Sequence, residues 1–391
     1  IRPTLDLNFA ATKVLDDRIT FKRNGVATYT DQDGLLKYAS NNEPRFDHDP
    51  ITGESLGLLI EESKTNLISA KIDNWNVNST IKTINAGIAP DGTNTANKCI
   101  RGPIATYQNI SFSVTNVPTG VPLIMSWYLK AAETDSIFFQ TNDGNWINAT
   151  FDISNGGTNG GSSIDDHGMY AVGNGWYRCW VRFDSASNTL GLTFHPITSS
   201  PISGNSVDGT LIWGVQLEEG TYPTSYIPTD GTTVTRGQDT AKIIGSNFTD
   251  FYNQSEGTLV AHYYSTVDDN YLAQLENSST PGDDRIGLVN YAGYQGFVET
   301  GNSSQASIDN GTPTVDDVNK VAFAFKANDF AVSLNSATPT TDTSGTMPTV
   351  DRMMIGSRHG GAYDVLKSTL RHLSYYPKRL PNAQLQGLTQ Q

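Results

Sequence analysis

Side chains alternate between apolar and polar along most of this chain, and that period of two is what most limits its fold. Leu123, Met125, Trp127 and Leu129 share one face of a run whose other face carries Ile124, Ser126, Tyr128 and Lys130. Ile147, Ala149, Phe151 and Ile153 alternate with Trp146, Asn148, Thr150 and Asp152. Leu211, Trp213, Val215 and Leu217 repeat the pattern, as do Val321, Phe323 and Phe325. Successive strand residues point to opposite faces, so each run predicts a strand with one face in a core. Asn24-Gly25, Asp33-Gly34, Asp143-Gly144, Asn174-Gly175 and Asp208-Gly209 punctuate the runs with hairpin chemistry. Short strands at this spacing predict sandwiches and jelly rolls rather than βαβ units. Helix signals are few. Leu56–Ser69 reads either as a turn or two of helix or as a strand leaving a hairpin. Leu380–Thr389 reads as a short C-terminal helix, with Pro381 in its first turn and Leu385 and Leu388 on one face.

Composition narrows the functions. Among 391 residues, 17% are charged, 10% are aromatic and the net charge is −14. Such a chain is too apolar for disorder. It has no run of apolar residues long enough for a membrane-spanning helix, which excludes insertion by that route. A negative chain without a Lys/Arg cluster has no face for displacing counterions from nucleic acid, so none is expected as a partner. The two cysteines, Cys99 and Cys179, are too few for a disulfide scaffold. Reduced buried thiols are expected, with a single bridge as the alternative. An initial Ile and no signal-peptide pattern suggest that the sequence starts inside a longer or processed product.

Domain boundaries follow from content. Residues 1–70 read as a hairpin module. Residues 71–240 hold every tryptophan and read as a jelly roll. Residues 241–391, free of Trp and rich in Tyr and Phe, read as a second sandwich ending in the short helix. The fold class is therefore all-β.

Certain phrases resemble known proteins. Arg18-Ile-Thr-Phe-Lys-Arg23, Ala27-Thr-Tyr29, Asp33-Gly-Leu-Leu36, Pro44-Arg-Phe-Asp47 and Gly57-Leu-Leu-Ile-Glu-Glu-Ser-Lys-Thr-Asn-Leu67 resemble the N-terminal module of bacteriophage tail and tail-fibre structural proteins. Gly214-Val-Gln-Leu-Glu-Glu-Gly220, Pro223-Thr-Ser-Tyr-Ile-Pro-Thr229 and Val234-Thr-Arg236 look like the close of a carbohydrate-binding-module-like jelly roll in such proteins. Ser255-Glu-Gly-Thr-Leu-Val260, Ile355-Gly-Ser357 and Leu373-Ser-Tyr-Tyr-Pro-Lys-Arg-Leu380 resemble a concanavalin A-like, laminin-G-like sandwich. The resemblance implies a tail-fibre-like structural protein of the virion, with other virion proteins as partners. It also implies homo-oligomerisation, with a trimer fitting a fibre, and adhesion to host-surface glycan. A capsid-decorating or tail-assembly protein without a ligand is the second reading, and a polysaccharide depolymerase the third.

Catalytic patterns are poor. A retaining glycosidase needs two carboxylates about 5–5.5 Å apart. The acidic pairs Asp268-Asp269, Asp283-Asp284 and Asp316-Asp317 sit in turn-like sequence, and Glu218-Glu219 ends a strand. There is no Gly-x-Ser-x-Gly elbow, and the histidines are scattered. No enzyme and no cofactor are expected. Asp47-His48-Asp49 reads as a solvated hairpin end. Asp268, Asp269 and Asp283 are the candidates for a structural calcium held by turn oxygens.

Sugar recognition asks for aromatic planes with polar groups beside them. In Trp176–Phe183, alternation puts Tyr177, Cys179, Val181 and Phe183 on one face and Trp176, Arg178, Trp180 and Arg182 on the other. Such a Trp/Arg face serves glycan binding or an interface, or is Arg stacked on exposed Trp with no ligand. Trp146 is a second candidate platform. Tyr291, Tyr294, Arg358 and His359 lie in loop-like sequence, where binding residues concentrate.

Overall fold

A computed structural model describes residues 1–143, 146–154, 157–196, 202–265, 270–291, 294–358 and 365–390, without the side chains of 159, 270, 291 and 294. Among the described residues most strands form two sandwiches, with two short two-stranded pairs beside them, and the strand-to-strand ladders are antiparallel. In the jelly roll, one sheet runs in the order Asp166–Ala171, Trp176–Asp184, Pro122–Ala131, Gly209–Glu219, Ala96–Arg101, Thr80–Gly87. The facing sheet runs Gly157–Gly160, Trp146–Asp152, Ser136–Asn142, Thr189–Pro196, Asn109–Thr115, Asn76–Asn78. The predicted apolar faces meet between them: Leu123, Met125, Trp127 and Leu129 pack with Ile147, Ala149, Phe151, Cys179, Val181 and Phe183. Both cysteines are free and buried, and burial pushes the Cys99 thiol up to about 12.

The second sandwich takes strands from both ends of the chain. Glu256–Tyr264 lies between Val318–Lys326 and Ser368–Tyr376, and the far side of Ser368–Tyr376 is paired by Ser55–Ile60 and by Leu5–Leu7. In the facing sheet, Thr20–Lys22 pairs with Thr240–Ile244. Leu5, Leu7, Phe9, Phe21, Leu58 and Ile60 accordingly share a core with Leu259, Val321, Phe323, Phe325 and Tyr375. The N-terminal hairpins are present, but residues 1–70 do not stand apart as a module. Their apolar faces are too small to make a core alone, and they are buried as edge strands of the second sandwich or, at Leu36, against the jelly roll. The jelly roll is therefore an insertion within that sandwich. Its entry and exit are tied where Lys64–Asn66 pairs with Val234–Arg236.

Two local readings were resolved by packing. Leu56–Ser69 contains strand, in Ser55–Ile60 and Lys64–Asn66, and no helix. The run Leu211, Trp213, Val215, Leu217 does not keep one face. Register slips where Trp213 opposes Tyr128 and Gln216 opposes Ser126, so Leu211 and Trp213 point outward while Val215 and Leu217 enter the core. Gly214 occupies the slip at φ +59°, where a Cβ would stand 2.8 Å from Tyr128 Cδ2. The C-terminal helix forms at Asn382–Leu388, with Pro381 as its N-cap. Leu385 packs with Val260, Ala322, Ala324 and Ala331 on the outer face of the second sandwich.

Candidate functional site

The outward face of Trp176–Asp184 does not open to solvent. Trp176 is 1% exposed, Arg178 5% and Trp180 9%. The hairpin of Ala27–Thr30 and Leu36–Ala39 covers this part of the sheet, and Leu36 joins Trp176, Tyr128, Leu211, Trp213 and Tyr226 in an apolar layer. Trp176 Nε1 donates to the Ile88 carbonyl (3.1 Å). Arg178 lies over the Tyr128 ring (5.4 Å) and donates to Ser126 Oγ (3.1 Å). Arg182, half-buried, is 3.9 Å from Asp166. This face, read as glycan binding or an interface, is in part an interface within the chain: Leu36 of the N-terminal hairpin packs with Trp176, while Trp180 lies beside Tyr222.

A buried ionic knot fixes this interface. Arg45 reaches Glu61 (2.7 Å) and Asp239 together, while Arg23 contacts Asp239 (3.1 Å) and Arg236 contacts Glu61 (2.7 Å). Ser225, from the phrase closing the jelly roll, donates its hydroxyl (2.6 Å) and its backbone N–H (2.8 Å) to Glu61. Burial works to raise the Glu61 carboxyl, but Arg236, Arg45 and the Ser225 donors outweigh it and hold it at about 2. Asn66 bonds the Val215 and Ile227 carbonyls, and Gln216 accepts from the Ile227 N–H. Glu218, fully buried, accepts from Thr224 and Gln216. These residues come from phrases distant in sequence and meet in one place.

Beside the knot lies a cleft of about 510 Å³ between the two sandwiches. Tyr170, Trp180 and Tyr222 give it aromatic walls, and Glu62, Lys64, Glu219, Asp316 and Lys367 supply charge. Pairing across the Gly173–Gly175 turn sets Gly168 opposite Trp180, and a Cβ at 168 would stand 2.9 Å from the indole. That bare backbone lets the indole lie flat across the sheet. The Tyr222 ring sits 5.9 Å from it. Lys64 is held by Glu62 (3.0 Å) and by the Glu219 carbonyl (2.6 Å). A further cavity of about 630 Å³ shares Glu61, Tyr170, Pro223 and Asp316 with this cleft and reaches Asp47, His48 and Arg178. Burial lifts the Asp47 carboxyl to about 6, against the pull of the Thr30 N–H and Arg45.

The other predicted residues fall elsewhere. Trp146 is 57% exposed at the start of its strand, on the opposite sheet of the jelly roll. Arg358 lies over the Tyr271 ring (5.9 Å). Tyr291 and Tyr294 are paired through their backbones, and their side chains are outside the described residues, as are His359, Asp268 and Asp269. Asp283 is an exposed turn residue whose carbonyl accepts from the Asn302 N–H. Among the described residues no group of three or more His, Cys, Asp or Glu is placed to hold a metal. Sequence reasoning missed Tyr170 and Tyr222. The hairpin signal at Gly173–Gly175 could have supplied Tyr170, since it places that residue opposite Arg178.

No family model matches the chain, and no curated protein matches it. Among solved structures it is similar to the Ruminococcus gnavus IT-sialidase CBM40 bound to alpha2,3 sialyllactose, at 16% identity and TM-score 0.32 over 37% of this chain and 88% of that one. Domain 4 of AbnA, a GH43 extracellular arabinanase from Geobacillus stearothermophilus, in complex with arabinotriose, matches at 13% identity and TM-score 0.30, over 44% and 84%. The mouse laminin alpha1 chain, domains LG4-5, matches at 8% identity and TM-score 0.26, over 71% and 88%.

Proposed function

We propose that this chain is a tail-fibre-like structural protein of a bacteriophage virion that holds host-surface glycan in the cleft between its sandwiches. The carrying observation is the wall of Tyr170, Trp180 and Tyr222 facing Glu62, Lys64 and Lys367. Aromatic faces accept the C–H side of a sugar ring, and fixed charged groups bond its hydroxyls. The virion reading rests on the phrases that resemble phage modules, and those phrases also supply the knot that positions this wall. Homo-oligomers arrayed on a particle would turn weak single contacts into firm adhesion.

The test is binding of purified protein to a glycan array and to host envelopes, repeated with Tyr170→Ala and Tyr222→Ala. Both residues are well exposed, so the fold should survive. Each change should weaken binding at least about fivefold, the loss expected for an interface anchor. No retention on any glycan or envelope would sink the adhesion reading. Labelling the protein in electron micrographs tests its place on the particle, and hundreds of copies on the shell would favour decoration over a tail fibre.

A further inference from the structure

A separate cleft of about 320 Å³ lies on the jelly roll, between the outward face of Gly209–Glu219 and the chain entering and leaving the insertion. Trp213, Tyr226 and Tyr38 give it aromatic surface, and Asp73, Asp91, Thr93, Thr95 and Asn97 give it polarity. The bulge at Gly214 creates it, since Trp213 faces outward only because the strand changes phase there. Trp213 and Tyr226 stand 4.8 Å apart at 51° and bound one corner.

The polar groups are wired in a particular sense. Trp213 Nε1 donates to Thr95 Oγ1 (3.0 Å), the Thr93 and Thr95 hydroxyls are 2.7 Å apart, and the Thr93 N–H donates to Asp91 (3.0 Å). Tyr38 donates its hydroxyl to Asp91 (2.8 Å). Asn97 is fully buried and its Nδ2 donates to Asp73 Oδ1. The carboxylate fixes that amide, because the flipped orientation would set oxygen against oxygen. Asn97 Oδ1 has no partner in the protein. Lys71, at the rim, is 3.3 Å from Asp230. The Trp213 indole, the Tyr38 phenol and an Asn97 amide hydrogen thus donate within the protein, while two carboxylates and a spare amide oxygen offer acceptor capacity.

We propose that this cleft is a second saccharide site and that it selects neutral sugars. A neutral pyranoside brings hydroxyl donors to the acceptors. Its apolar ring face meets Tyr38, which is exposed, and the edges of the largely buried Trp213 and Tyr226 that line the cleft. A uronate or sialate meets Asp73 and Asp91 with like charge, while Lys71, the cation on the lining, lies with Asp230. This site is distinct from the cleft between the sandwiches and does not depend on it.

The experiment follows the indole N–H signals of the whole chain by two-dimensional NMR, with Trp213 identified through Trp213→Phe and Trp180 through Trp180→Phe. The probes are the methyl glycosides of glucose, galactose and mannose, with glucuronate, N-acetylneuraminate and choline as charged counterparts. At least one neutral glycoside should shift the Trp213 signal saturably, with the acidic sugars inert there. Asp73→Asn and Asp91→Asn, which each replace a carboxylate acceptor by an amide, should weaken that response about two- to tenfold, as loss of one hydrogen bond does. Tyr170→Ala should leave it intact. No saturable Trp213 shift with any neutral glycoside, an equal response to the acidic sugars, or tighter binding of choline overturns the proposal. A Trp180 response without a Trp213 response would overturn this site and leave the cleft between the sandwiches standing.

Discussion

Glu61 and Asp47 lie close together in the fold, yet their environments push them in opposite directions. Glu61, held at about 2 against an ordinary 4.5, stabilises the fold above that ordinary range, and the contribution is lost as pH falls through about 2. Glu61→Gln leaves Arg45 and Arg236 without their shared counter-charge and should cost about 3–5 kcal/mol at neutral pH. Urea midpoints measured from pH 7 to pH 2 should show the variant converging on the parent. A penalty constant across that range would contradict the assignment. Asp47 is raised from 3.8 to about 6, so stability is fully present below the ordinary value and declines as pH rises through about 6. Asp47→Asn keeps an acceptor for the Thr30 N–H and should raise the melting temperature at pH 7.5 with no gain at pH 3.5. Equal melting temperatures at both would refute it. Trp127 tests packing alone, caged by Phe139, Phe151 and Phe194 at 5.2, 4.9 and 5.0 Å between ring centres. Trp127→Ala should cost about 3–5 kcal/mol by denaturant titration. Trp127→Phe should cost less than about 2, because the buried indole N–H has no partner to lose.

Strands show what alternation can and cannot reveal. Side chains of Leu123–Leu129, Ile147–Ile153 and Val321–Phe325 fall on the predicted faces, because period two is a local property of the backbone. The Trp176–Phe183 strand also keeps its predicted phase. Much of its second face nevertheless lies buried, Trp176 beneath residues 27–39, far away in sequence, and Trp180 beside Tyr222. Nothing within the strand could announce that cover. The bulge at Gly214 was hidden for a related reason: alternation continues unbroken in the letters while the backbone slips. Gly57 carries the same lesson into a testable form. At φ +99° it lets Ser55–Ile60 approach Ser368–Tyr376 so closely that a Cβ would stand 2.2 Å from the Leu370 carbonyl oxygen. Gly57→Ala should therefore cost at least about 3 kcal/mol, combining backbone strain with a clash against backbone that cannot yield. Limited proteolysis should then cut within residues 1–60 before any other region. Parent-like stability would show that the two strands can part there cheaply.

The largest gap between sequence and structure is topological. Composition separates residues 1–70 from 241–391, but a core is defined by which apolar faces need each other. Leu5, Leu7, Phe9, Leu58 and Ile60 have their partners some two hundred residues or more away, in Leu259, Tyr375 and their neighbours. The insertion makes two deletions of similar kind behave oppositely. A chain beginning at residue 71 keeps every jelly-roll strand but strips Leu5–Leu7, Arg45–His48 and Ser55–Ile60 from the second sandwich. It also leaves Arg236 and Asp239 without their buried partners, so it should yield a folded jelly roll joined to an unfolded or aggregating remainder. Removing residues 67–233 and closing Asn66 to Val234 with a two-residue Asn-Gly turn should instead leave a folded sandwich. Those two residues already face each other as antiparallel partners, and such a turn joins that geometry. The excised form gives up the Ser225 bonds to Glu61 and should be less stable than the parent, yet it should still unfold in one cooperative step. Circular dichroism during heating and amide dispersion in NMR would read both outcomes. If the chain from residue 71 folds completely, or the excised form fails to fold, the three blocks are successive modules and the jelly roll is not an insertion.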